Sequence, residues 1–245
     1  MNNNYLPTDY QTFIATSRYA RWLEDEGRRE TWGETVERYL ENIAKTWLKP
    51  VDLQEIREAI LSLEVMPSMR SLMTAGKAAD RDNTCMYNCS YLPVDDPKSF
   101  DEAMFILLCG TGVGFSVERQ FITKLPDVPT LFQSETCVVI KDSKEGWAKG
   151  LRQILALLWA GEIPKWDVSK VRPAGAKLKT FGGRASGPAP LVDLFNFAVT
   201  TFKQAQGRRL SSIECHDLMC KIGEVVVVGG VRRSAMISLS NLSDD

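Results

Sequence analysis

Residues 88–119 read NCSYLPVDDPKSFDEAMFILLCGTGVGFSVER, and their punctuation decides the fold class. "CSYLPV" is a short apolar run of strand type, and "GFSVE" is a second. Between them Phe100, Ala103, Met104, Leu107 and Leu108 recur at helical spacing. Ser99 and Glu102 have the spacing of a capping box at the start of that helix, and Gly110 suits its C-terminal cap. Strand, helix and strand within so short a stretch predict two parallel strands joined by a crossover helix.

The same alternation continues downstream. "CVVI", "KWDVSKV" and "SAMISL" read as strands, and helical patterns cover 99–109, 143–160, 191–205 and 212–226. Upstream, the first 66 residues read as helical. "TWGE" at 31–34 is a second capping box, after which Val36, Tyr39, Leu40, Ile43 and Trp47 recur along one face. That helix is expected to end at Lys49-Pro50. Asp52 is expected to cap the next helix, with Leu53, Ile56, Ile60 and Leu61 facing inward and Pro67 closing it. The expected organisation is therefore a helical region over 1–66 and an α/β region over 67–245.

Composition narrows the function classes. The 245 residues carry 30 Lys and Arg against 31 Asp and Glu, a balance that favours neither nucleic acid nor a membrane surface. No apolar run reaches the roughly 18 residues of a membrane span, and the N-terminus lacks the pattern of a secretory signal. A cytoplasmic location is expected, where a disulfide is transient and catalytic. The six cysteines and the single His216 lack the paired half-sites of structural zinc, so no metal is expected. Cys109, Cys137 and Cys220 read as buried small hydrophobes. Cys89, at a strand end, is favoured over Cys85 as a working thiol.

Three glycine-rich segments stand out. In "CGTGVGF" the glycines follow a helix, so the order is wrong for a dinucleotide fingerprint, and a structural role competes with a binding one. "RPAGAKLKTFGGRASGPAP" at 172–190 has three prolines and four cations without periodicity, as functional loops do. "VVVVGGVRRSAMISL" places Arg232 and Arg233 after an apolar run, and paired arginines suit phosphate contacts as well as a solvated turn.

Seven stretches together carry a resemblance: "RYARWLEDEGRRETWGETVERY", "MPSMRSLMTAG", "YNCSYLPV", "GTGVGFSVER", "DSKEGWAKG", "VRPAGAKLKTFGGRASGPAPL" and "GGVRRSA". In this order they resemble the N-terminal half of the adenosylcobalamin-dependent (class II) ribonucleotide reductases, and above all the ribonucleoside-triphosphate type. The resemblance implies helices followed by the first half of a ten-stranded α/β barrel. It also implies a cobalamin-initiated thiyl radical and reduction of the ribose 2′ position by a cysteine pair. Cys89 takes the place of the first member of that pair. Pro67, Ser68, Met69, Asn88, Gly114, Phe115, Ser116 and Val117 match the substrate-binding segments.

Asp96, Lys98, Ser99, Lys177, Lys179, Arg184, Gly229, Gly230, Arg232 and Arg233 match positions that border a deoxynucleoside triphosphate effector. The segment between Arg119 and Asp142 is shorter than in the triphosphate reductases. The radical cysteine, the second reducing cysteine and most of the adenosylcobalamin surface are expected on a second chain that completes the barrel. A thioredoxin-like reductant is the further partner implied. The alternatives are a diphosphate substrate, or an inactive effector-binding fragment.

Overall fold

The computed structural model describes residues 6–176, 184–228 and 235–243. The chain forms two compact units, Met1–Tyr87 and Asn88–Asp245.

The first unit begins with helix α1 (Asp9–Arg18), capped by Thr8. Here the all-helical expectation fails. Strands β1 (Trp22–Leu23) and β2 (Arg28–Arg29) pair antiparallel, Trp22 opposite Arg29. The reason is local: Gly27 adopts a positive φ of 63°, and both Glu26 and Gly27 donate backbone N–H groups to the Leu23 carbonyl. The charged "EDEGRR" run also offers no apolar face for a helix to bury.

Helix α2 (Trp32–Asn42) opens with the expected capping box between Thr31 and Glu34. Glu34 also accepts both arms of the Arg28 guanidinium at 2.8 Å. Thr31→Ala should lower stability by about 1 kcal/mol, measured by urea unfolding. The helix stops at Asn42, well before Pro50, and Trp47 is 84% exposed, so Trp47 does not lie on the expected inner face.

Pro50 instead opens α3 (Pro50–Leu61), where its missing N–H costs nothing. Asp52 therefore sits in the first turn and Lys49 is the N-cap. Leu61 ends α3 before Pro67 is reached, and Leu63 takes a positive φ of 65° just beyond it. Short helices α4 (Met69–Thr74) and α5 (Lys77–Arg81) complete the unit. Val36, Leu40, Ile60, Leu61 and Leu72 form its core, with Leu53 and Ile56 packed against it.

In the second unit β3 (Cys89–Pro93), α6 (Ser99–Leu108) and β4 (Gly112–Ser116) form the expected crossover. A short helix, α7 (Arg119–Ile122), follows. Strand β5 (Phe132–Val139) starts earlier than "CVVI", and after α8 (Lys144–Trp159) comes β6 (Glu162–Asp167). That strand ends short of the expected 165–171 because Asp167 Oδ1 turns to accept the Ser169 N–H at 2.8 Å. Helices α9 (Ala189–Gln204) and α10 (Ser212–Val228) precede β7 (Met236–Leu239).

The described strands pair parallel: β3-β4-β7 in one sheet and β5-β6 in another. The α/β class with parallel strands is thus as expected. Phe100, Leu107, Phe115, Leu151, Leu158, Phe195 and Phe202 are fully enclosed in one core. Gly110 terminates α6 with a φ of 80°, its N–H bonded to the Leu107 carbonyl at 2.8 Å. The capping box of α6 does not form. Lys98 is the N-cap, and Ser99 Oγ donates to the Pro93 carbonyl at 3.0 Å, tying the helix to β3 instead. Among the described residues no helix is long and apolar enough to cross a membrane.

Carboxylates in both units set the acid response. Hydrogen bonds from Arg28 and the Thr31 N–H hold Glu34 down to about 2. Hydrogen bonds from Arg208 hold Glu214 down to about 2, with the Ser211 N–H assisting against burial. Burial pushes Glu30 up, yet Arg38, the Arg21 N–H and Thr35 together leave it lowered. A lowered carboxyl favours the folded state fully above its unfolded value, about 4.3, and loses that contribution as pH falls toward the folded value. Asp101 acts oppositely, since burial raises it despite Arg152. Hydrogen bonds from Ser169 lower Asp167 as well. With four carboxyls lowered against one raised, Tm should fall between about pH 4.5 and 2, as scanning calorimetry across that range would record.

Candidate functional site

The sheet β3-β4-β7 has two unlike faces. On one, Leu92, Val113 and Phe115 are buried in the core beneath α6 and α10. The other carries the rows Cys89 beside Gly112, then Tyr91, Gly114 and Ile237, then Pro93, Ser116 and Leu239. Tyr91 is 54% exposed and Ile237 62%, while the central strand contributes glycines. The result is a trough floored by Gly112 and Gly114 and walled by β3 and β7. A Cβ on Gly114 would lie 3.4 Å from Ile237 Cγ2 and 3.8 Å from Tyr91 Cδ2, so any side chain there fills the trough.

Cys89 stands at the amino end of β3, exposed, at the edge of this trough. The tendency of α/β folds to place ligands at carboxyl strand ends therefore lends it no support. Its access does. Cys85 is buried in the first unit, its thiol donating to the Asp82 carbonyl at 3.2 Å. No disulfide joins any of the six cysteines. Two of the three expected buried thiols prove to be at the surface: Cys109 is enclosed, but Cys137 and Cys220 are exposed. Cys137 lies on the outer part of β5, and Cys220 faces outward from α10 beside His216, Nε2 to Sγ 3.6 Å. Cys215 is the α10 cysteine in the core, and burial pushes its thiol up to about 12.

The expected substrate residues divide. Gly114 shares the sheet with Cys89, and Asn88 directly precedes β3, its carbonyl accepting the Gly112 N–H at 2.9 Å. Phe115 and Val117 bury their side chains in the core. Ser116 is enclosed, donating to Glu118 at 2.7 Å. Pro67, Ser68 and Met69 lie in the first unit, where Ser68 is the N-cap of α4 without using its side chain to cap.

The sequence reading missed what fixes that segment. Arg38 donates to the carbonyls of Leu72 at 2.8 Å and Ala75 at 3.1 Å, and Arg21 to those of Thr74 at 3.0 Å and Met73 at 3.4 Å. Two arginines thus satisfy the carbonyls that a helix end leaves open. Arg38 is in turn held by Glu30 through Nε at 2.8 Å and Nη2 at 2.9 Å. Only the "RYARW" and "VERY" stretches hinted at it, and their charges carry no periodic signal.

Of the expected effector residues, Asp96 and Lys98 are exposed in the turn before α6, where Asp96 Oδ1 accepts the Lys98 N–H at 2.8 Å. Ser99 is buried and committed to β3. Arg184 is exposed and donates to the Gly175 carbonyl at 2.9 Å. The limbs of its loop are joined at their base by Gly175 N–H to Ala185 and Ala185 N–H to Ala176, both 2.8 Å. Gly187 (φ 77°) packs so tightly there that a Cβ would fall 2.8 Å from Ala174 N. Lys177, Lys179, Gly229, Gly230, Arg232 and Arg233 lie outside the described residues.

A cavity of about 410 Å³ opens between α6 and α8, lined by Asp101, Glu102, Phe105, Glu145, Lys149 and Arg152. Its small volume and charged walls do not fit a corrin ring with its nucleotide tail, so it is not a cobalamin site.

Comparison with known proteins gives three findings. A family model described as "B12-dependent ribonucleotide reductase, insertion domain" matches residues 127–201, from before β5 into α9. Among curated proteins, the adenosylcobalamin-dependent ribonucleoside-triphosphate reductase of Lacticaseibacillus paracasei is 28% identical over 308 residues, covering 93% of this chain and 40% of the relative. That of Lactobacillus leichmannii is 28% identical, with 92% and 40% covered. A putative reductase of the same name from Mycobacterium phage D29 is 27% identical, with 92% and 39% covered. A crystal structure titled as a B-12 dependent (class II) ribonucleotide reductase superposes with a TM-score of 0.78 at 25% identity, over 95% of this chain and 42% of that one. The chain thus spans about 40% of the length of the relatives it matches. The resemblance read from the sequence is borne out.

Proposed function

We propose that this chain forms part of an adenosylcobalamin-dependent ribonucleotide reductase that converts ribonucleoside triphosphates to deoxyribonucleotides. The observation that carries the reading is the superposition with a class II reductase over 95% of the chain, together with relatives named as triphosphate reductases. Cys89 is the residue that does chemistry here. It serves as one of two thiols that give up their hydrogens as the 2′ hydroxyl leaves as water and an S–S bond forms. Its exposure at the margin of the glycine-floored trough supports this role.

The bound cofactor supplies the initiating radical. The cavity between α6 and α8 does not fit it, so its site, the radical cysteine and the second reducing thiol are assigned to the remaining length of the family's fold. That segment would also cover the exposed trough face and extend the parallel strands toward the barrel. The trough accepts the ribose, and Pro67, Ser68 and Met69 serve the substrate phosphates. A deoxynucleoside triphosphate effector binds the loops at 174–187 and 229–234, with Asp96 and Lys98 at its border. A thioredoxin-like dithiol restores Cys89.

The test combines this chain with the complementary segment, adenosylcobalamin, a dithiol reductant and a ribonucleoside triphosphate. Deoxynucleoside triphosphate that forms only when every component is present is the expected result. Turnover by residues 1–245 without the complementary segment, or reduction of diphosphates alone, would overturn the assignment.

A further inference from the structure

Lys144 and Cys109 form a pair that the proposed reaction does not use. Lys144 opens α8, and Cys109 follows the last residue of α6. Their Nζ and Sγ atoms lie 3.0 Å apart. The ammonium also sits 4.8 Å from the centre of the Phe105 ring, an attraction that holds it over the end of α6. Cys109 is 1% exposed, and its backbone N–H is bonded back into α6. Both reacting atoms are therefore confined, and the usual entropy cost of bringing them together has been met by folding. An oxygen bridging nitrogen and sulfur through ordinary single bonds holds them at nearly the separation seen.

We propose that Lys144 and Cys109 are a site of oxidative crosslinking, joined through one oxygen as an N–O–S bridge when the protein meets hydrogen peroxide. The ammonium first releases its proton to solvent. One amine N–H and one thiol S–H are then lost, an S–O and an O–N bond form, and two peroxide molecules are reduced, giving three waters. Oxidation at sulfur would ordinarily stop at sulfenic acid or climb toward sulfinic acid, and the adjacent amine diverts it. The bridge fastens the end of α6 to the start of α8. It also stiffens the Gly110–Gly112 joint that leads into β4, the strand beside Cys89.

The experiment treats the full chain with hydrogen peroxide and analyses it denatured and unreduced by intact mass and peptide mapping. Expected is a gain of about 14 Da, one oxygen added and two hydrogens lost, on a linked pair of peptides containing Cys109 and Lys144. A thiol reductant should reverse it. Lys144→Arg and Lys144→Gln, each checked for folding by circular dichroism, should lack it. The proposal is overturned if wild-type Cys109 stays unmodified, if it gains only whole oxygens, or if the linked pair persists in either variant.

Discussion

Cys89→Ser should abolish multiple turnover in the assembled enzyme, a loss of at least about a hundredfold, while Cys85→Ser should keep most of it. The thiol at Cys89 must form a bond to a second sulfur, and a hydroxyl of similar size cannot. Position separates the two cysteines. Cys89 is exposed at the head of β3, whereas Cys85 is buried, with its thiol donating to a backbone carbonyl. Serine can take over that donation, so its cost falls on stability alone. Steady-state assays of both variants decide the matter, and equal losses would show that the wrong cysteine has been assigned.

Arg38→Ala should destabilise the first unit by about 3–5 kcal/mol, the range for removing one partner of a buried ion pair. Glu30 and Arg38 side chains are only 6% and 12% exposed. Without the guanidinium, Glu30 keeps the Arg21 N–H and the Thr35 hydroxyl as its donors among the described residues, and the Leu72 and Ala75 carbonyls lose theirs. Arg38→Lys should recover little, because one ammonium cannot reproduce a planar fork that reaches the Glu30 carboxylate and the carbonyls of Leu72, Ala75 and Tyr19. The same loss frees the segment 67–75, so KM for substrate should rise along with the fall in Tm. Urea unfolding would contradict this if the change were under about 1 kcal/mol.

Local rules made the second unit legible. The βα punctuation around residues 88–119 predicted the parallel pair, and Gly110 capped α6 as its position demanded. Capping residues were read less well where tertiary partners intervened. Ser99 looked like a cap but bonds to Pro93 across the fold, whereas Ser211 and Glu214, passed over, do exchange bonds at the start of α10. The N-terminal differences have two separate causes. Pro50 was read as an end when a proline serves equally well as a first turn, and the Trp22–Arg29 hairpin has too few residues to show period-two alternation. Site chemistry that depends on residues distant in sequence was not legible at all. The Arg21, Glu30 and Arg38 cluster and the Lys144–Cys109 contact come from pairings that no spacing announces.

The role of Cys89 is tested most directly by one round of reduction without external dithiol. The assembled enzyme is mixed with adenosylcobalamin, effector and ribonucleoside triphosphate, quenched in acid, alkylated and mapped. The account predicts that Cys89 is protected from alkylation in proportion to the deoxynucleotide formed, and that its peptide is recovered in a disulfide with a cysteine of the complementary segment. Deoxynucleotide formation with Cys89 still fully alkylated would contradict it.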